Sequence, residues 1–245
     1  MNKCRIIPVL CLDGPSGSGK GAVGQICAIR VGWHYLDSGA IYRALAFLLQ
    51  KGGVDIADIR EAVHQAEKLH VECIPKLNDS AVIVVNGVEA SAALRREECG
   101  EAASRLAFVP EIRAAVLALQ RQARRPPGLV ADGRDMGTTV FPDATLKIFL
   151  TAAPKERAIR RYKQLKLKGF DVNLAHLFKA IQDRDTRDSL RRTSPLIPAD
   201  DAVTLDTTDL EIKEVATRVL DLLKLRTVHK RAMETGNFSE NGGGT

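Results

Sequence analysis

Short apolar runs bounded by Gly, Pro or Asp alternate with helix-like segments along most of this chain. The apolar runs are predicted strands, at residues 6–12, 33–36, 128–131, 146–150 and 202–205. This alternation is typical of βαβ units, in which helices join parallel strands and cover the resulting sheet. The pattern therefore predicts an α/β fold built on a parallel sheet.

One region departs from this alternation. Between residues 70 and 91 the chain reads VECI, AVIVV and VEAS, three β-rich runs separated by polar turns. Asn86-Gly87 between two such runs is typical of a hairpin turn, so we predict a small antiparallel β insert. Residues 110–125 follow as a predicted helix with Pro110 near its start. Beyond residue 225 the periodicity fades, and we expect a flexible tail.

Composition limits the class of protein but does not identify its ligand. The 245 residues are 45% hydrophobic and carry a formal net charge of +6, which excludes a disordered chain, a collagen-like fibre and a disulfide scaffold. The five cysteines form no C-x-x-C pair, and no segment is a secretory or membrane-spanning signal. We therefore expect a cytoplasmic protein with reduced thiols. The positive charge points to an anionic partner, either nucleic acid, a membrane or phosphate.

The sharpest motif directly follows the first predicted strand. Residues 14–21 read GPSGSGKG, and a helical pattern comes next. Glycines let consecutive N–H groups face one anion at the start of a helix, and Lys20 adds a point charge for the β- and γ-phosphates. This motif predicts a phosphate-binding loop. Its residues are Gly14, Pro15, Ser16, Gly17, Ser18, Gly19, Lys20 and Gly21.

The loop departs from the usual pattern at its end. A Ser or Thr normally follows the lysine or comes one residue later, and here Gly21 and Ala22 occupy those positions. The hydroxyl usually offered to Mg²⁺ or phosphate is therefore missing. Ser16, Ser18 or a water molecule could compensate, so the way in which Mg²⁺ is held stays open.

Two aspartates lie at predicted strand ends. Asp132 ends the run GLVAD, and an Asp at this place holds Mg²⁺ in many phosphate-loop proteins, so it is the candidate metal ligand. The alternative is a turn or helix-capping role. Asp13 precedes the loop and serves either a structural hydrogen bond or a water in the metal shell.

Arginines recur in the polar runs that follow the predicted strands. Arg157, Arg160 and Arg161 share one helix face, and single arginines stand at Arg43, Arg113, Arg134, Arg184 and Arg191. Transfer of a phosphoryl group between two nucleotides brings two polyanions together, and guanidinium groups neutralise them bidentately. The pattern favours a kinase, although QDRDTRDSLRR could also be a salt-bridged helix face.

Five motifs together carry a resemblance. LDGPSGSGKG (12–21), LDSGAIYR (36–43), ADGRDMGT (131–138), FPDA (141–144) and RDTRDSLR (184–191) stand in the order and spacing of the bacterial cytidylate kinases. The chain resembles that branch of the nucleoside monophosphate kinases over residues 5–223. The resemblance implies a three-layer P-loop NTPase fold with a five-stranded parallel sheet, a small antiparallel insert and a helical lid.

The resemblance also implies roles for individual residues. The residues expected around the CMP phosphate are Ser38, Arg43, Arg134 and Arg191, and Tyr42 is a further expected substrate-binding residue. Ser104, Arg113 and Asp135 would read the cytosine edge, and Arg184 and Asp188 would contact the ribose. Asp135 could accept a hydrogen bond from the cytosine N4 amino group, a donor that uracil lacks.

The remaining implied roles concern ATP. The loop from Gly14 to Ala22 would hold its phosphates with Arg160 and Arg161, and Lys20, Arg134, Arg157, Arg184 and Arg191 would be catalytic. The expected cofactors are ATP and Mg²⁺, and the expected substrates are CMP and dCMP.

We expect a monomer without nucleic-acid or membrane partners. The kinase domain is placed at 1–225, with the monophosphate-binding insert at about 38–112, the lid at about 153–171 and a tail at 226–245.

Two other functions stay open on the sequence. One is a small kinase of this architecture that acts on a different nucleoside monophosphate. The other is an RNA-associated or nucleotide-binding module with weakened catalysis, which Ala22 and the positive charge would suit.

Overall fold

A computed structural model describes residues 6–77, 79–167, 169, 171–190 and 194–235, with side chains as far as residue 228. Its strands are β1 (Val9–Asp13), β2 (His34–Asp37), β3 (Val71–Ile74), β4 (Val82–Val85), β5 (Val88–Glu89), β6 (Leu129–Asp132), β7 (Leu146–Thr151) and β8 (Val203–Asp206). Its helices are α1 (Lys20–Val31), α2 (Ser38–Lys51), α3 (Ile59–Glu67), α4 (Ser91–Leu94), α5 (Glu97–Leu106), α6 (Pro110–Gln122), α7 (Pro154–Leu167), α8 (Leu174–Ser189) and α9 (Ile212–Thr235). A π-helical turn spans Met136–Val140.

The strands form one sheet in the order β5-β4-β3-β2-β6-β1-β7-β8. The five strands from β2 to β8 in that order pair in parallel, as predicted for the core of the fold. The expectation of a five-stranded sheet is nevertheless too small, because the antiparallel insert joins the same sheet and brings it to eight strands. Without β3, the strand β2 would be an edge with unpaired backbone groups, and its pairing at Tyr35 and Cys73 removes that edge.

The predicted hairpin turn forms where the sequence places it. β4 and β5 pair antiparallel through Val85 and Val88, and Asn86 and Gly87 between them both have positive φ. Two consecutive positive φ angles are what a type I′ turn needs, and Asn-Gly adopts them at the lowest cost. This short local signal therefore predicts the turn correctly.

The central strands are buried on both faces. Every residue of β1 and β6 is buried, because helices cover the sheet on each side. Three groups of helices pack together, α1 with α9, α2 with α3, α5 and α6, and α7 with α8. Strands that are buried along their whole length require both layers, which agrees with the predicted three-layer arrangement.

Helix α9 extends farther than expected. The predicted tail begins at residue 226, but the helix continues to Thr235. No Gly or Pro occurs between residues 212 and 235, so nothing in the sequence ends the helix before Gly236. The part of the predicted tail at residues 236–245 lies outside the described residues.

The polar ends of the parallel strands lie at one edge of the sheet. The loop at residues 14–19 follows β1, Ser38 follows β2, Asp132 ends β6, and Thr207 follows β8. In parallel sheets, ligands bind at the carboxyl ends of the strands. The fold therefore brings together side chains that are far apart in sequence. No helix among the described residues is long and apolar enough to cross a membrane.

Candidate active site

The phosphate-binding loop lies between β1 and α1, and its lysine is buried. The Lys20 ammonium donates to the Pro15 carbonyl oxygen at 2.7 Å, and the Ser18 hydroxyl donates to the same oxygen at 3.0 Å. Burial and the nearby Arg134 guanidinium lower the pKa of Lys20, although Asp132 opposes them. A phosphate beside Lys20 would favour its charged form, since an anion offsets both effects.

The first glycine of the loop has no room for a side chain. Gly14 has a φ of +141°, and a Cβ added there would lie 1.9 Å from the Leu150 carbonyl oxygen on β7. Such a contact is far inside van der Waals distance, so the loop can leave β1 in this direction only with glycine.

Arg157 lies beneath this loop, outside the cleft. Its side chain donates to the Ser16 carbonyl oxygen at 3.0 Å and to the Ala152 carbonyl oxygen at 2.9 Å, and it forms a bidentate pair with Asp185 at 2.6 and 3.0 Å. The resemblance implies a catalytic arginine in the lid. The contacts of Arg157 join the loop to the segment before α7 and to α8, and its catalytic role stays a prediction.

Thr207 is a second support for the loop. Its buried hydroxyl lies 3.1 Å from the Ser18 carbonyl oxygen and 3.0 Å from the Thr151 carbonyl oxygen, and it accepts a hydrogen bond from Arg160 at 3.1 Å. Thr207 thus connects the ends of β7 and β8 to the phosphate-binding loop. Sequence reasoning missed it, because it belongs to no recognised motif and becomes informative only when β8 lies beside β7.

Two carboxylates lie at neighbouring strand ends beside Lys20. Asp132 on β6 and Asp37 on β2 are partners in the strand register, and both line the cleft. Burial raises the pKa of Asp132 despite the Lys20 charge, and the Tyr35 hydroxyl donates to Asp132 Oδ2 at 3.2 Å. Asp37 also caps α2 by accepting from the Ala40 N–H at 3.1 Å. The sequence reading did not select Asp37.

These residues fit a divalent ion held mainly by substrate. The described residues contain no group of three or more His, Cys, Asp or Glu side chains that could hold a metal ion by themselves. Mg²⁺ commonly uses one or two carboxylates together with nucleotide phosphates and water. Asp132 beside the phosphate-binding loop supplies such a carboxylate.

Asp13 has a structural role. It accepts hydrogen bonds from the Met136 N–H at 2.8 Å and from the Gly137 N–H at 2.7 Å. Burial raises its pKa to about 6, and the two backbone donors oppose that shift. Of the two roles left open by the sequence, the structure shows the hydrogen bonds, which fix the π-helical turn against β1.

A buried carboxylate holds one of the expected catalytic arginines. Asp188 on α8 is fully buried and accepts from Arg134 Nε at 3.0 Å, while Arg184 Nε lies 4.0 Å from the same oxygen. The polar run of α8 therefore reaches across to the loop after β6. Arg191 falls in residues 191–193, which lie outside the described residues.

Ser38 at the start of α2 has a partner that the sequence did not reveal. The buried Gln120 amide on α6 donates to the Ser38 hydroxyl oxygen at 2.8 Å. Because Gln120 occupies an acceptor site of the hydroxyl, the Ser38 proton can point toward a ligand. Tyr42 and Arg43 line the same wall of the cleft one turn later on α2.

The expected base-reading residues converge from three elements. Arg113 on α6 pairs with Asp135 after β6 and also donates to the Ala107 carbonyl oxygen at 3.3 Å. Ser104 on α5 is buried, and its hydroxyl oxygen has no hydrogen-bond partner within the described chain. All three line the cleft. A buried polar atom without a partner is costly, which indicates that a ligand completes this corner.

The two remaining lid arginines have different surroundings. Arg160 donates to the carbonyl oxygens of Thr207 and Thr208, whereas Arg161 reaches Glu97 on α5 at 3.2 Å. Both line the cleft, but Arg160 is fixed at the β8 side and Arg161 crosses to the opposite wall.

The cleft measures about 1000 Å³ and contains most of the predicted site. The predicted residues that line it are Ser16, Gly17, Gly19, Lys20, Gly21, Ala22, Ser38, Tyr42, Arg43, Ser104, Arg113, Asp132, Arg134, Asp135, Arg160, Arg161, Arg184 and Asp188. None of the other four predicted residues that the structure describes lines the cleft. Gly14, Pro15 and Ser18 belong to the loop, and Arg157 supports it. The described cysteines, Cys11, Cys27, Cys73 and Cys99, are free thiols, and none lines the cleft.

Comparison with known proteins identifies the relatives of this chain. A family model described as cytidylate kinase matches residues 10–225. The cytidylate kinase of Nitrosococcus oceani is 53% identical over 218 residues, which is 89% of this chain and 96% of that protein. The cytidylate kinase of Stutzerimonas stutzeri is 51% identical over 215 residues, 87% and 94% of the two chains. A solved structure of an uncharacterized protein from Eubacterium ventriosum aligns with a TM-score of 0.47 at 12% identity over 89% of this chain and 98% of that one, too distant to bear on function.

Proposed function

The chain belongs to the cytidylate kinase family, and we propose that its cleft transfers the γ-phosphoryl group of ATP in line to CMP or dCMP, giving ADP and CDP or dCDP. The observation that carries this proposal is the shared cleft. A phosphate-binding loop, a set of arginines on several elements and a buried polar corner open into one space of about 1000 Å³.

Phosphoryl transfer needs positioned cations more than covalent chemistry. Lys20 would bind the β- and γ-phosphates, because its ammonium already lies against the loop and gains charge stabilisation from an anion. Arg134, held by buried Asp188, would stabilise the transferred group, with Arg184 beside it. Mg²⁺ bound by Asp132 and the nucleotide would neutralise charge on the phosphates.

The acceptor phosphate would lie at the start of α2. Gln120 donates to the Ser38 hydroxyl oxygen, so the hydroxyl can donate its proton to a phosphate oxygen. Arg43, one turn later on α2, would supply positive charge. We propose that Arg191 adds to this group, as the resemblance implies. The donor and acceptor phosphates would then meet at the carboxyl ends of β1, β2 and β6.

Specificity for cytosine would come from the buried corner. Asp135 can accept from the N4 amino group of cytosine, and Ser104 and Arg113 offer further partners to the base edge. Uracil has a carbonyl oxygen at that position. This oxygen would face the Asp135 carboxylate with no proton to form a hydrogen bond between them. A buried acceptor left without its donor penalises the wrong substrate strongly.

Arg160 and Arg161 would act on the ATP side. They extend from α7 toward the cleft, and contact with ATP phosphates would draw α7 over the nucleotide. Closure of such a lid excludes water, and it thereby favours transfer over hydrolysis.

The direct test is ADP release from ATP with each acceptor, CMP, dCMP, UMP, AMP and GMP, with and without Mg²⁺. We expect turnover with CMP and dCMP far above the purine acceptors, and a loss of turnover without Mg²⁺. Best turnover with AMP or GMP would overturn the base-reading assignment. ATP binding without transfer to any acceptor would support the binding-module alternative.

A second test targets the base reader alone. Asp135→Asn should reduce the ratio of kcat/KM for CMP to that for UMP by at least about 10-fold, because an amide can pair with either base. Asp143→Asn is the matched control, since Asp143 pairs with Arg124 and does not line the cleft. An unchanged ratio in Asp135→Asn would contradict the assignment.

A further inference from the structure

The phosphate-binding loop of this chain lacks a hydroxyl at both Gly21 and Ala22, yet a hydroxyl reaches the same place from another element. Tyr35 lies on β2, and its hydroxyl donates to Asp132 Oδ2 at 3.2 Å. A Cβ added at Gly21 would lie 3.3 Å from Asp132 Oδ2 and 3.7 Å from the Tyr35 hydroxyl oxygen. The bond between Tyr35 and Asp132 therefore occupies the space into which a residue-21 side chain would project.

The glycines of α1 make room for the tyrosine ring. A Cβ at Gly24 would lie 3.0 Å from Tyr35 Cε2, so a side chain there would press on the ring. Gly21 and Gly24 are three residues apart and lie on the same side of the helix. Together they form a shallow groove, in which the ring of Tyr35 lies with its hydroxyl at the cleft end.

The hydrogen bond does more than satisfy a buried phenol. Phenylalanine would fill the same groove, but it would leave Asp132 without this donor. The bond uses Oδ2 of a carboxylate that is buried on β6 and opens to the cleft, and it leaves Oδ1 for a ligand. Partners of this kind orient a metal-binding carboxylate and commonly affect metal affinity by about 10-fold or more.

We propose that Tyr35 is a positioning residue for the divalent cation, which holds Asp132 in place of the hydroxyl missing from the phosphate-binding loop. The inference rests on the proposed role of Asp132 in binding Mg²⁺. It is an alternative to the compensation by Ser16, Ser18 or water that the sequence left open. Ser18 is buried and does not line the cleft, and its hydroxyl donates to the Pro15 carbonyl oxygen and accepts from the Lys20 ammonium.

The experiment measures metal binding without turnover. Mn²⁺ is titrated into enzyme saturated with ADP, and free Mn²⁺ is read by electron paramagnetic resonance against an ADP-only blank. We expect Tyr35→Phe to raise the Mn²⁺ dissociation constant about 10-fold. The ADP dissociation constant in EDTA and the melting temperature should stay close to those of the unaltered chain. Tyr162→Phe is the matched control, since Tyr162 on α7 does not line the cleft.

A double-mutant cycle separates this inference from the proposed function. Asp132→Asn should weaken Mn²⁺ binding, and adding Tyr35→Phe to it should cause little further change, because the two act through one carboxylate. If Asp132→Asn weakens binding and Tyr35→Phe does not, the role of Tyr35 is overturned. If Asp132→Asn leaves Mn²⁺ binding intact, the assignment of Asp132 fails, and that of Tyr35 fails with it. An effect of Tyr35→Phe that persists in full beside Asp132→Asn overturns the role of Tyr35, since it would act through packing.

Gly21→Ala keeps the test informative if Tyr35→Phe folds poorly. This variant keeps the ring and places a methyl group beside the Tyr35–Asp132 bond. It should weaken Mn²⁺ binding relative to metal-free ADP binding. Unchanged Mn²⁺ affinity in Gly21→Ala would then count against the role of Tyr35.

Discussion

Each of three buried or half-buried aspartates around the cleft pairs with an arginine from a different element. Asp188 pairs with Arg134, Asp135 with Arg113, and Asp185 with Arg157. A buried charge is costly unless it is paired and hydrogen-bonded, so these pairs fix arginine positions before any nucleotide binds. At the scale of single residues, the site is thus partly preorganised by its own acids.

Asp13 should make stability depend on pH in an unusual direction. Its pKa is raised to about 6 in the folded chain, so the folded state binds its proton between pH 4 and 6 when the unfolded state does not. The contribution of Asp13 to the free energy of unfolding therefore increases as the pH falls through 6. Between pH 7 and pH 5, the free energy of unfolding of the unaltered chain should increase by about 1 kcal/mol relative to that of Asp13→Asn, as measured by urea unfolding. A difference that does not change with pH would contradict this expectation.

Restoring a hydroxyl at residue 22 should change activity little. If Asp132, oriented by Tyr35, holds the cation together with the nucleotide, the hydroxyl of Ala22→Thr adds a dispensable contact, and kcat/KM for ATP should stay within about threefold. Ala22→Val is the control for side-chain shape, because it is β-branched without a hydroxyl. A gain of orders of magnitude in Ala22→Thr over Ala22→Val would refute the expectation.

At the scale of elements, the phosphate-binding loop is supported from outside its own βαβ unit. Arg157 at the first turn of α7 and Thr207 after β8 each bind a carbonyl oxygen of the loop. Arg157 also pairs with α8 through Asp185. Helix α7, which lies in the predicted lid, is therefore attached to the loop at its base, and motion of the lid should begin beyond Arg157.

Arg157→Ala should loosen this junction. Truncation leaves Asp185 and two backbone carbonyls without their donor, and we expect a loss of about 2–3 kcal/mol in the free energy of unfolding. KM for ATP should rise more than KM for CMP, because the loop is the proposed binding site of the ATP phosphates. Arg161→Ala is the control for stability on the same helix, where a more exposed pair should contribute less than about 1 kcal/mol. Equal losses in the two variants would argue against a special role for Arg157.

At the scale of the whole molecule, one sheet joins the parallel strands that end at the cleft to the antiparallel insert. β1 and β6 are buried at the centre, whereas β5 is a short exposed edge strand. Central buried strands open only in global unfolding, and edges open locally. The insert can therefore unfold locally while the central strands that end at the cleft stay folded.

Hydrogen exchange should reveal this gradient. Amides of β1, β6 and β7 should exchange last, and those of β5 should exchange first, as measured by mass spectrometry of peptides. Addition of ADP and CMP together should slow exchange in the phosphate-binding loop more than in β5. If β5 exchanged as slowly as β6, the insert and the core would form one cooperative unit.

Local patterns predict the elements because their signals lie within a few residues. The predicted strand at 146–150 and the observed β7 (Leu146–Thr151) nearly coincide, and Asn86-Gly87 turns as expected. Pairing across the sheet is harder to predict, because no local pattern shows that β3 will pair with β2. The eight-stranded sheet was therefore missed, as were the contacts of Thr207 and Gln120.

The sequence by itself determined the parallel α/β core and the phosphate-binding loop, because each rests on a local pattern with its own backbone requirement. Most of the other cleft residues were implied by the resemblance of the chain to a known family. Tertiary structure alone decided which side each arginine faces. Arg157, Arg160 and Arg161 share a helical pattern, yet one lies beneath the loop, one at β8 and one across the cleft. It also decided that a tyrosine on β2 reaches Asp132, since a hydrogen bond between strands depends on their register.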